Sequence, residues 1–177
     1  MRRTKTNTFA NRGMGLEEDL EITNQHYLNK NIAIIYKKPT PITIKKVTYP
    51  NQKYTKIIDG YFQQKSTTDY NGIYNGRYID FEAKETKNKT FNMKLLKSHQ
   101  LNHLQNVVNH GGIAFLIIRF TTLNKTFLID IEKLSNYLTL NDKKSLNLEF
   151  LEKNGHEIKV NYLPRLDYLK VVDKIYF

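Results

Sequence analysis

The sequence predicts an α/β protein in which helices flank a mixed central sheet. Apolar residues recur at helical spacing in residues 15–29 and 93–108. Residues 113–120 are almost wholly apolar, as in a strand covered on both faces. Residues 78–84 alternate polar and apolar side chains, as in a strand with two different faces. Helical and strand patterns therefore alternate along the chain, which is the arrangement expected of a sheet packed between helices.

The first elements are an arm, a helix and a strand. Residues 1–12 are basic, polar and without periodicity, and we expect them to form a flexible N-terminal arm. Residues 15–29 place apolar side chains along one face and acids in the first turn, which predicts an amphipathic helix. Residues 32–36 are an apolar run of strand length. Because no internal repeat or long linker follows, we expect residues 13–177 to form a single domain.

A stretch rich in proline and lysine interrupts this pattern at about residues 38–60. Pro39, Pro41 and Pro50 lack the backbone donor that a central strand needs. Apolar residues alternate with polar ones between these prolines, and residues 57–63 have the composition of a returning strand. We therefore expect an excursion of the edge type that protrudes from the sheet between two early strands.

The second half of the chain continues the alternation of helices and strands. Gly111 and Gly112 end the helix predicted at residues 93–108. The elements predicted after them are strands at residues 113–120 and 126–131 and helices at residues 132–140 and 166–175.

The charge balance favours a polyanionic partner. Lysine and arginine number 28 against 17 for aspartate and glutamate, so the formal net charge is +11. Such a protein binds nucleic acid through salt-sensitive counterion release, although ribosomal and membrane-surface proteins have similar compositions. The sequence has no cysteine, which excludes disulfides, thiolate metal sites and cysteine nucleophiles.

Several motifs of other function classes are absent from the sequence. It contains no Gly-x-Ser-x-Gly elbow of a serine hydrolase and no Gly-x-x-x-x-Gly-Lys-Ser/Thr loop for ATP phosphates. The basic start is not followed by an apolar segment, and no apolar run reaches the roughly 18 residues needed to span a bilayer. We therefore expect a cytoplasmic protein without a membrane partner.

The stretch from residue 67 to residue 84 carries the strongest functional signal. It reads Thr-Thr-Asp-Tyr-Asn-Gly-Ile-Tyr-Asn-Gly-Arg-Tyr-Ile-Asp-Phe-Glu-Ala-Lys. Because side chains alternate along a strand, Asp80, Glu82 and Lys84 share one face, and the apolar residues between them share the other. One face of this strand is therefore available for chemistry and the other for packing.

Two Asn-Gly pairs precede this strand, at residues 71–72 and 75–76, and they predict turns that bring Asp69 toward Glu82. Two carboxylates so placed are the ligands that Mg²⁺ and Mn²⁺ prefer. Lys84 beside the metal would orient the attacking water or stabilise the charge that builds on the phosphate. The residues therefore predict a metal-dependent nuclease whose catalytic residues are Asp69, Glu82 and Lys84.

The Asp…Glu-x-Lys pattern resembles the PD-(D/E)xK nuclease superfamily, and the longer string resembles the RecU family of Holliday-junction resolvases. That string runs from Ser66-Thr-Thr-Asp-Tyr-Asn-Gly to Tyr78-Ile-Asp-Phe-Glu-Ala-Lys-Glu-Thr-Lys. Further similarity lies in Asn11-Arg-Gly-Met-Gly-Leu-Glu, Lys37-Lys-Pro-Thr-Pro and Pro164-Arg-Leu-Asp-Tyr. Thr68 replaces the proline that the superfamily has before its aspartate, a substitution that is itself RecU-like. The resemblance implies a restriction-endonuclease-like fold whose excursion is a stalk that projects toward the junction centre.

The resemblance also implies further metal ligands. In the family pattern, the metal site includes a threonine two residues before the aspartate and a glutamine on the helix after the catalytic strand. Here these residues are Thr67 and Gln100. Without the family pattern, Gln100 would be interpreted as a solvated helix residue. Contact with the metal through a water is a further alternative for both.

Two other acids have two interpretations each. Many enzymes of the superfamily place an acid from the first helix beside the metal, and Glu17 is the candidate for that role. A solvated acidic face with Glu18, Asp19 and Glu21, complementary to the helix dipole, explains Glu17 equally well. Asp80 shares the active face and could support the metal ligands, but we favour an acid at the exposed edge of a strand.

Basic residues of the arm and of the excursion are candidates for contacts with DNA. They would position the DNA through backbone phosphates rather than read bases, which suits an enzyme that selects a branched shape. Each of them alone is equally typical of a solvated surface charge. The candidates are Arg2, Arg3, Arg12, Lys37, Lys38, Lys45 and Lys46.

The residues and the resemblance together predict a Mg²⁺-dependent endonuclease in which Mn²⁺ can replace Mg²⁺. It would act as a homodimer that resolves four-way DNA junctions by paired nicks with 5′-phosphate ends, in recombination and repair. The family also implies contacts with branch-migration and strand-exchange proteins. Two alternatives stay open, namely a general duplex-DNA nuclease of the same superfamily and a non-catalytic DNA-binding protein that regulates recombination.

Overall fold

The computed structural model describes residues 15–51, 54–62, 67–140 and 144–177. Its helices are α1 (Leu16–Asn29), α2 (Ser98–Asn109), α3 (Ile131–Leu140), α4 (Leu148–Asn154) and α5 (Leu169–Tyr176). Its strands are β1 (Ile34–Lys37), β2 (Ile42–Asn51), β3 (Tyr54–Phe62), β4 (Tyr70–Tyr74), β5 (Arg77–Thr86), β6 (Thr90–Asn92), β7 (Ile113–Phe120), β8 (Lys125–Asp130), β9 (Ser145–Asn147) and β10 (His156–Glu157). The arm predicted at residues 1–12 lies outside the described residues, and the single domain over residues 13–177 stays a prediction.

A six-stranded central sheet has the order β1-β4-β5-β7-β8-β10. β5 and β7 are parallel, whereas the other neighbouring pairs are antiparallel. Helix α2 lies in the connection between β5 and β7, because parallel strands need a crossover. Every residue of β7 is buried, as its apolar sequence predicts. The predicted mixed sheet flanked by helices is confirmed.

The two faces of the central sheet pack against different helices. On one face, Phe81 stacks between Tyr70 and Phe115, with ring centroids 4.8 and 4.7 Å away, and α1 and α5 cover this layer. On the other face, Leu104 of α2 and Leu134 of α3 pack on the apolar side chains of β7. Since side chains alternate along β5, its polar residues turn toward the face that α2 covers. This alternation places the candidate site beside α2.

The excursion is a two-stranded ribbon inserted between β1 and β4. β2 and β3 pair antiparallel from Ile42 opposite Phe62 to Asn51 opposite Tyr54, and they form a sheet of their own. All residues of β3 are exposed. Pro50 lies within β2, which a ribbon tolerates because each of its strands has a free edge. The predicted insertion between early strands is confirmed.

One of the two predicted turns is correct and the other is wrong. Asn75 and Gly76 join β4 to β5 with φ of 47° and 75°, the left-handed conformations of a two-residue hairpin loop. Residues 71–72 instead lie inside β4 and pair with both β1 and β5. A Cβ atom at Gly72 would lie 1.9 Å from the carbonyl oxygen of Ile34, so glycine is needed there for the close approach of two strands.

The limits of two helices differ from the prediction. α2 begins at Ser98 because Met93–Leu95 form a separate 3-10 helix. α5 begins at Leu169 because Leu166 forms an isolated β-bridge with Val160. The short elements α4, β6, β9 and β10 were not predicted at all, since each is too short to show a period. None of the helices in the described ranges has the length and apolarity to traverse a bilayer.

Candidate active site

Asp69, Glu82 and Lys84 converge at one end of the β4–β5 hairpin. Asp69 lies directly before β4, and the antiparallel pairing of the hairpin sets it beside the last residues of β5. The backbone N–H of Ala83 donates to Asp69 Oδ2 over 3.2 Å. Lys84 Nζ lies 3.7 Å from Asp69 Oδ2 and forms an ion pair with Glu82 Oε1. The fold thus brings the three predicted catalytic side chains together.

Glu82 is wholly buried, yet the residues that the structure describes give partners to only one of its two carboxylate oxygens. Oε1 accepts a hydrogen bond from Gln100 Nε2 over 2.7 Å and contacts the Lys84 ammonium. Oε2 has no hydrogen-bond partner among the described residues. A buried acceptor without a donor costs on the order of 1–3 kcal/mol, and more when it is charged. This orphaned oxygen is therefore suited to a cation that binds carboxylates.

The surroundings of Glu82 and Lys84 shift their acidities. Burial, and next the negative charge of Asp69, raise the pKa of Glu82 to about 7, although the Lys84 ammonium opposes this shift. Burial lowers the pKa of Lys84, but its hydrogen bond with Glu82 and the two carboxylate charges outweigh burial and raise it above its ordinary value. At neutral pH the site therefore holds a cationic lysine next to a carboxyl group close to its titration midpoint.

Gln100 is held between Glu82 and the first turn of its own helix. It is buried near the start of α2, so the interpretation as a solvated residue is wrong. Its Nε2 donates to Glu82, and its Oε1 accepts from the backbone N–H of Lys97 over 3.0 Å in a capping box. The structure therefore places Gln100 at the site with its amide nitrogen toward Glu82, and its role as a metal ligand stays a prediction.

Thr67 is exposed and lies two residues before Asp69. Its hydroxyl accepts from Lys38 Nζ over 3.2 Å. The partner that the structure gives Thr67 is thus a lysine rather than Asp69 or Glu82. Its role as a metal ligand also stays a prediction.

Glu17 lies at the same cleft as Lys84 but is exposed. This cleft has a volume of 510 Å³ and is lined by the first residues of α1 and the last residues of β5. The Glu17 carboxylate accepts from Lys37 Nζ over 2.6 Å. Glu17 therefore lies next to the site, and its role beside a metal stays a prediction.

The solvated acidic face expected on α1 is wrong for Asp19. Its neighbouring acids are exposed, but Asp19 is buried. Its two oxygens accept from Arg119 Nη2 over 2.7 Å and from Arg165 Nε over 2.8 Å. Asp19 thereby ties α1 to β7 and to the segment before α5, and the acid is buried because two guanidinium groups from distant parts of the chain neutralise it.

The interpretation of Asp80 as an acid at an exposed strand edge is also wrong, because Asp80 is wholly buried. Its Oδ1 accepts from the Thr68 hydroxyl. Its Oδ2 accepts from Lys38 Nζ over 2.7 Å and from the Tyr78 hydroxyl over 2.8 Å. His103 Nε2 lies 3.1 Å from the same oxygen. These side chains, Lys38, Thr68, Tyr78, Asp80 and His103, are called the Asp80 cluster below.

Sequence reasoning did not single out Thr68, Tyr78 or His103 as part of the site. Two of them could have been found from spacing. Tyr78 precedes Asp80 by two positions, so both lie on one face of β5. His103 follows Gln100 by three positions, so both lie on one face of α2. The contribution of Thr68 has no such local signal, because it depends on the pairing of two strands.

The cations proposed for DNA contacts lie in different environments. Lys37 Nζ donates to Glu17 over 2.6 Å and to Glu21 over 3.2 Å on the surface. Lys45 and Lys46 are exposed on β2, with the Lys45 ammonium 5.0 Å from the ring centroid of Tyr61. The remaining candidates are Lys38, whose ammonium belongs to the Asp80 cluster, and Arg2, Arg3 and Arg12, which lie outside the described residues.

The donors that the site offers to a metal are carboxylate oxygens. Within the described ranges, no three His, Cys, Asp or Glu side chains form a metal-binding group. Asp69 and Glu82 supply two carboxylates, and Glu82 Oε2 is free to accept. Two carboxylates are a usual protein contribution to Mg²⁺, which keeps several waters and binds substrate phosphate as well. The donor set therefore fits a hard divalent cation.

The chain is similar to proteins of one family over most of its length. A family profile described as Recombination protein U, RecU, matches residues 11–174. The Holliday junction resolvase RecU of Geobacillus kaustophilus (strain HTA426) is 51% identical over 173 residues, which covers 96% of this chain and 86% of that protein. The Holliday junction resolvase RecU of Bacillus cereus (strain B4264) is 49% identical over 177 residues, which covers 98% of this chain and 88% of that protein. Among solved structures, Hjc of Archaeoglobus fulgidus, a Holliday junction resolvase, matches with a TM-score of 0.46 and 13% identity over 80% of this chain and 92% of that chain.

Proposed function

This chain belongs to the Recombination protein U family, and from that membership and its site we propose that it is an endonuclease that resolves Holliday junctions. The observation that carries the proposal is the Glu82 carboxyl group. It is wholly buried, one of its oxygens has no partner among the described residues, and its pKa is raised to about 7 beside a second carboxylate and an ammonium. A buried acid with these properties is typical of a catalytic site rather than of a packed core.

We propose that the site uses Mg²⁺, with Mn²⁺ able to replace it. Asp69 and Glu82 would hold the ion, and Thr67 and Gln100 would be further ligands, either directly or through a water. Such an ion, when bound, supplies an activated water and neutralises charge on the phosphate. Glu82 accepts a cation only after it has lost its proton, and a pKa of about 7 lets it do so near neutral pH.

Lys84 supports hydrolysis through its charge. Its ammonium stays protonated at neutral pH, because the carboxylates of Glu82 and Asp69 hold its pKa above the ordinary value. It lies at the cleft beside α1, where it would stabilise negative charge that develops on the phosphate oxygens. In the reaction that we propose, water attacks the phosphorus atom and the bond to the 3′ oxygen breaks. The products are a 5′-phosphate and a 3′-hydroxyl.

The substrate suggests how the protein would be assembled. A four-way junction needs two symmetric cuts, so we propose that two copies of the chain act as a homodimer on one junction. A net charge of +11 supports binding to the junction arms through phosphates. We further propose action in the cytoplasm in recombination and repair, with branch-migration and strand-exchange proteins as partners on the same DNA.

The proposal is tested by comparing two DNA substrates and one variant. The protein is incubated with a synthetic four-way junction and with a linear duplex of matched sequence, each with Mg²⁺. We expect paired cuts in the junction and little cutting of the duplex. Asp69→Asn should abolish the cuts and leave binding to the junction in Ca²⁺ unchanged. Equal cutting of both substrates would instead indicate a general duplex nuclease, and junction binding by the wild type without any cutting would contradict the proposed activity.

A further inference from the structure

The geometry points to Asp80 and Lys38 as positioning residues that hold Asp69 and Gln100 on either side of Glu82. This inference rests on the proposed function, since it concerns the same site. It assigns Lys38 to the interior of the enzyme rather than to the DNA surface.

The Asp80 carboxylate accepts hydrogen bonds from donors in four parts of the chain. Its Oδ1 accepts from Thr68, which precedes β4, and its Oδ2 accepts from Tyr78 of β5. Lys38, in the loop after β1, donates to Oδ2 over 2.7 Å. His103 of α2 lies 3.1 Å from the same atom, and because a carboxylate only accepts, its Nε2 carries the proton. Both oxygens of Asp80 therefore have protein donors.

The Lys38 side of the cluster fixes the segment that carries Asp69. Lys38 Nζ donates to the hydroxyls of Thr67 and Thr68, the two residues directly before Asp69. The backbone N–H of Lys38 also donates to the backbone carbonyl of Asp69 over 2.8 Å. Asp69 itself lies just outside β4, so its place is set largely by these bonds to Lys38 and by its bond to Ala83.

The His103 side of the cluster fixes the helix that carries Gln100. Gln100 and His103 are three positions apart, so they lie on one face of α2. They reach two acids that are two positions apart on one face of β5, since Gln100 donates to Glu82 and His103 contacts Asp80. Two parallel contacts of this kind set the register of α2 on β5. The cluster thereby determines where the Gln100 amide meets Glu82.

A buried carboxylate keeps this arrangement only while a cation neutralises it. The Lys38 side chain is 16% exposed, and its ammonium forms an ion pair with the Asp80 carboxylate, which is 0% exposed. Removing the ammonium leaves a buried charge without its partner, and the hydroxyls of Thr67 and Thr68 lose their bonds to Lys38 at the same time. We expect the metal site to loosen even though Lys38 contacts neither Asp69 Oδ2 nor Glu82 through its side chain.

The experiment measures Mn²⁺ binding to the DNA-free protein by electron paramagnetic resonance, for the wild type, Lys38→Met, Lys38→Arg and Lys125→Met. Lys125→Met is the matched control, because it removes the same charge from a surface pair with Glu152. Loss of a nearby cation by itself should tighten Mn²⁺ binding through Coulomb attraction. We expect the opposite, because the loss of a residue that orients metal ligands weakens metal binding. The Kd for Mn²⁺ should rise about tenfold or more in Lys38→Met, and Lys38→Arg should restore part of the affinity.

Junction binding in Ca²⁺, measured at several salt concentrations, tests the competing role of Lys38. We expect Lys38→Met to match Lys125→Met in affinity and in salt dependence. Weaker junction binding with a salt slope smaller by about one unit, and unchanged Mn²⁺ affinity, would show that Lys38 contacts a phosphate and would overturn the inference. Unchanged Mn²⁺ affinity and unchanged junction binding would overturn it as well.

A double variant covers the case in which Lys38→Met does not fold. Lys38→Met/Asp80→Asn removes both charges of the buried pair, so it avoids an unpaired carboxylate. It should fold and still bind Mn²⁺ more weakly than the wild type, and Mn²⁺ binding at wild-type strength would overturn the inference. If the wild type binds Mn²⁺ and cuts junctions and the variants do so equally well, only the positioning roles are rejected. If the wild type does neither, the proposed function is rejected.

Discussion

Asp80 and Glu82 lie two positions apart on one face of β5, and both are wholly buried, but their surroundings differ. Both oxygens of Asp80 accept hydrogen bonds, from donors in four parts of the chain. Glu82 has an oxygen that lacks a partner within the described part of the chain, and its pKa is raised to about 7. Burial therefore does not by itself distinguish these two acids. The number of donors around each oxygen does.

The difference follows from position along the hairpin. Asp80 is paired with Asn71 in β4 and with Ala114 in β7, deep in the sheet, where the loop after β1 and helix α2 both reach it. Glu82 lies one position past Phe81, the last residue of β5 that pairs with β4, and fewer donors surround it among the described residues. An unsatisfied buried group lowers stability, and proteins retain such groups mainly at functional sites. Three substitutions give four predictions that test this contrast.

The largest expected effect is the loss of cleavage in Glu82→Gln. An amide cannot supply the charge that a cation at this site requires, so the single-turnover rate on a four-way junction with Mg²⁺ should fall by about 10³-fold or more. The control is Glu152→Gln, which changes a surface acid paired with Lys125 and should cut at the wild-type rate. Cleavage by Glu82→Gln within tenfold of the wild type would remove Glu82 from the mechanism.

Asp80→Asn should affect stability strongly. The change removes the charge that neutralises Lys38. It also replaces one carboxylate oxygen with an amide NH₂ group, which would face the hydrogen-bond donors that now surround Asp80. Breaking a buried ion pair in this way lowers the free energy of unfolding by about 3–5 kcal/mol. Urea denaturation in EDTA measures it, with Asp59→Asn on the exposed strand β3 as the control, for which we expect a change within about 0.5 kcal/mol. A loss below about 1 kcal/mol for Asp80→Asn would show that the Asp80 cluster contributes little to the fold.

Glu82→Gln should have a pH-dependent effect on stability. The folded state raises the pKa of Glu82 from 4.5 to about 7, so it holds this proton more tightly than the unfolded chain does. The stability that this group contributes is then fully present below pH 4.5 and is lost as the pH rises through about 7.

We consider the unfolding free energy of Glu82→Gln minus that of the wild type, both in EDTA. Because only the wild type loses the contribution of this proton, the difference should rise by about 3 kcal/mol between pH 4.5 and pH 8, at about 1.4 kcal/mol per pKa unit. Lys84 is protonated throughout this range in both states, so it does not obscure the comparison. Urea titrations at several pH values measure the difference. A constant difference across the range would show that Glu82 titrates normally in the folded protein.

The smallest expected effect is that of Lys37→Met. Lys37 is next to Lys38 in the chain and also forms ion pairs, but its side chain is 42% exposed and its partners Glu17 and Glu21 are exposed as well. Exposed pairs contribute about 0.2–1 kcal/mol, so the unfolding free energy should fall by no more than this. Urea denaturation of Lys37→Met beside Lys38→Met checks the contrast, and equal losses in the two variants would contradict it.

Much of the central sheet, and the face of β5 that carries Glu82 and Lys84, could be predicted from local patterns. The apolar run that became β7 and the hairpin turn at Asn75 and Gly76 follow from the chemistry of neighbouring residues. The shared face of Glu82 and Lys84 follows from the period of a strand. The family resemblance rests on motifs that can be seen in the sequence itself, and its prediction of a RecU relative is confirmed.

The tertiary structure decided which of these polar residues have partners. Asp80 and Asp19 resemble exposed acids in the sequence, and both are buried because donors arrive from residues far away in the chain. Gly72 resembles a turn residue, and it lies inside a strand because β1 passes too close for a Cβ atom. A sequence pattern reports the period of one element, whereas burial and hydrogen bonding depend on which other elements pack against it. The unpartnered oxygen of Glu82 could therefore be recognised only once the whole sheet and α2 were in place.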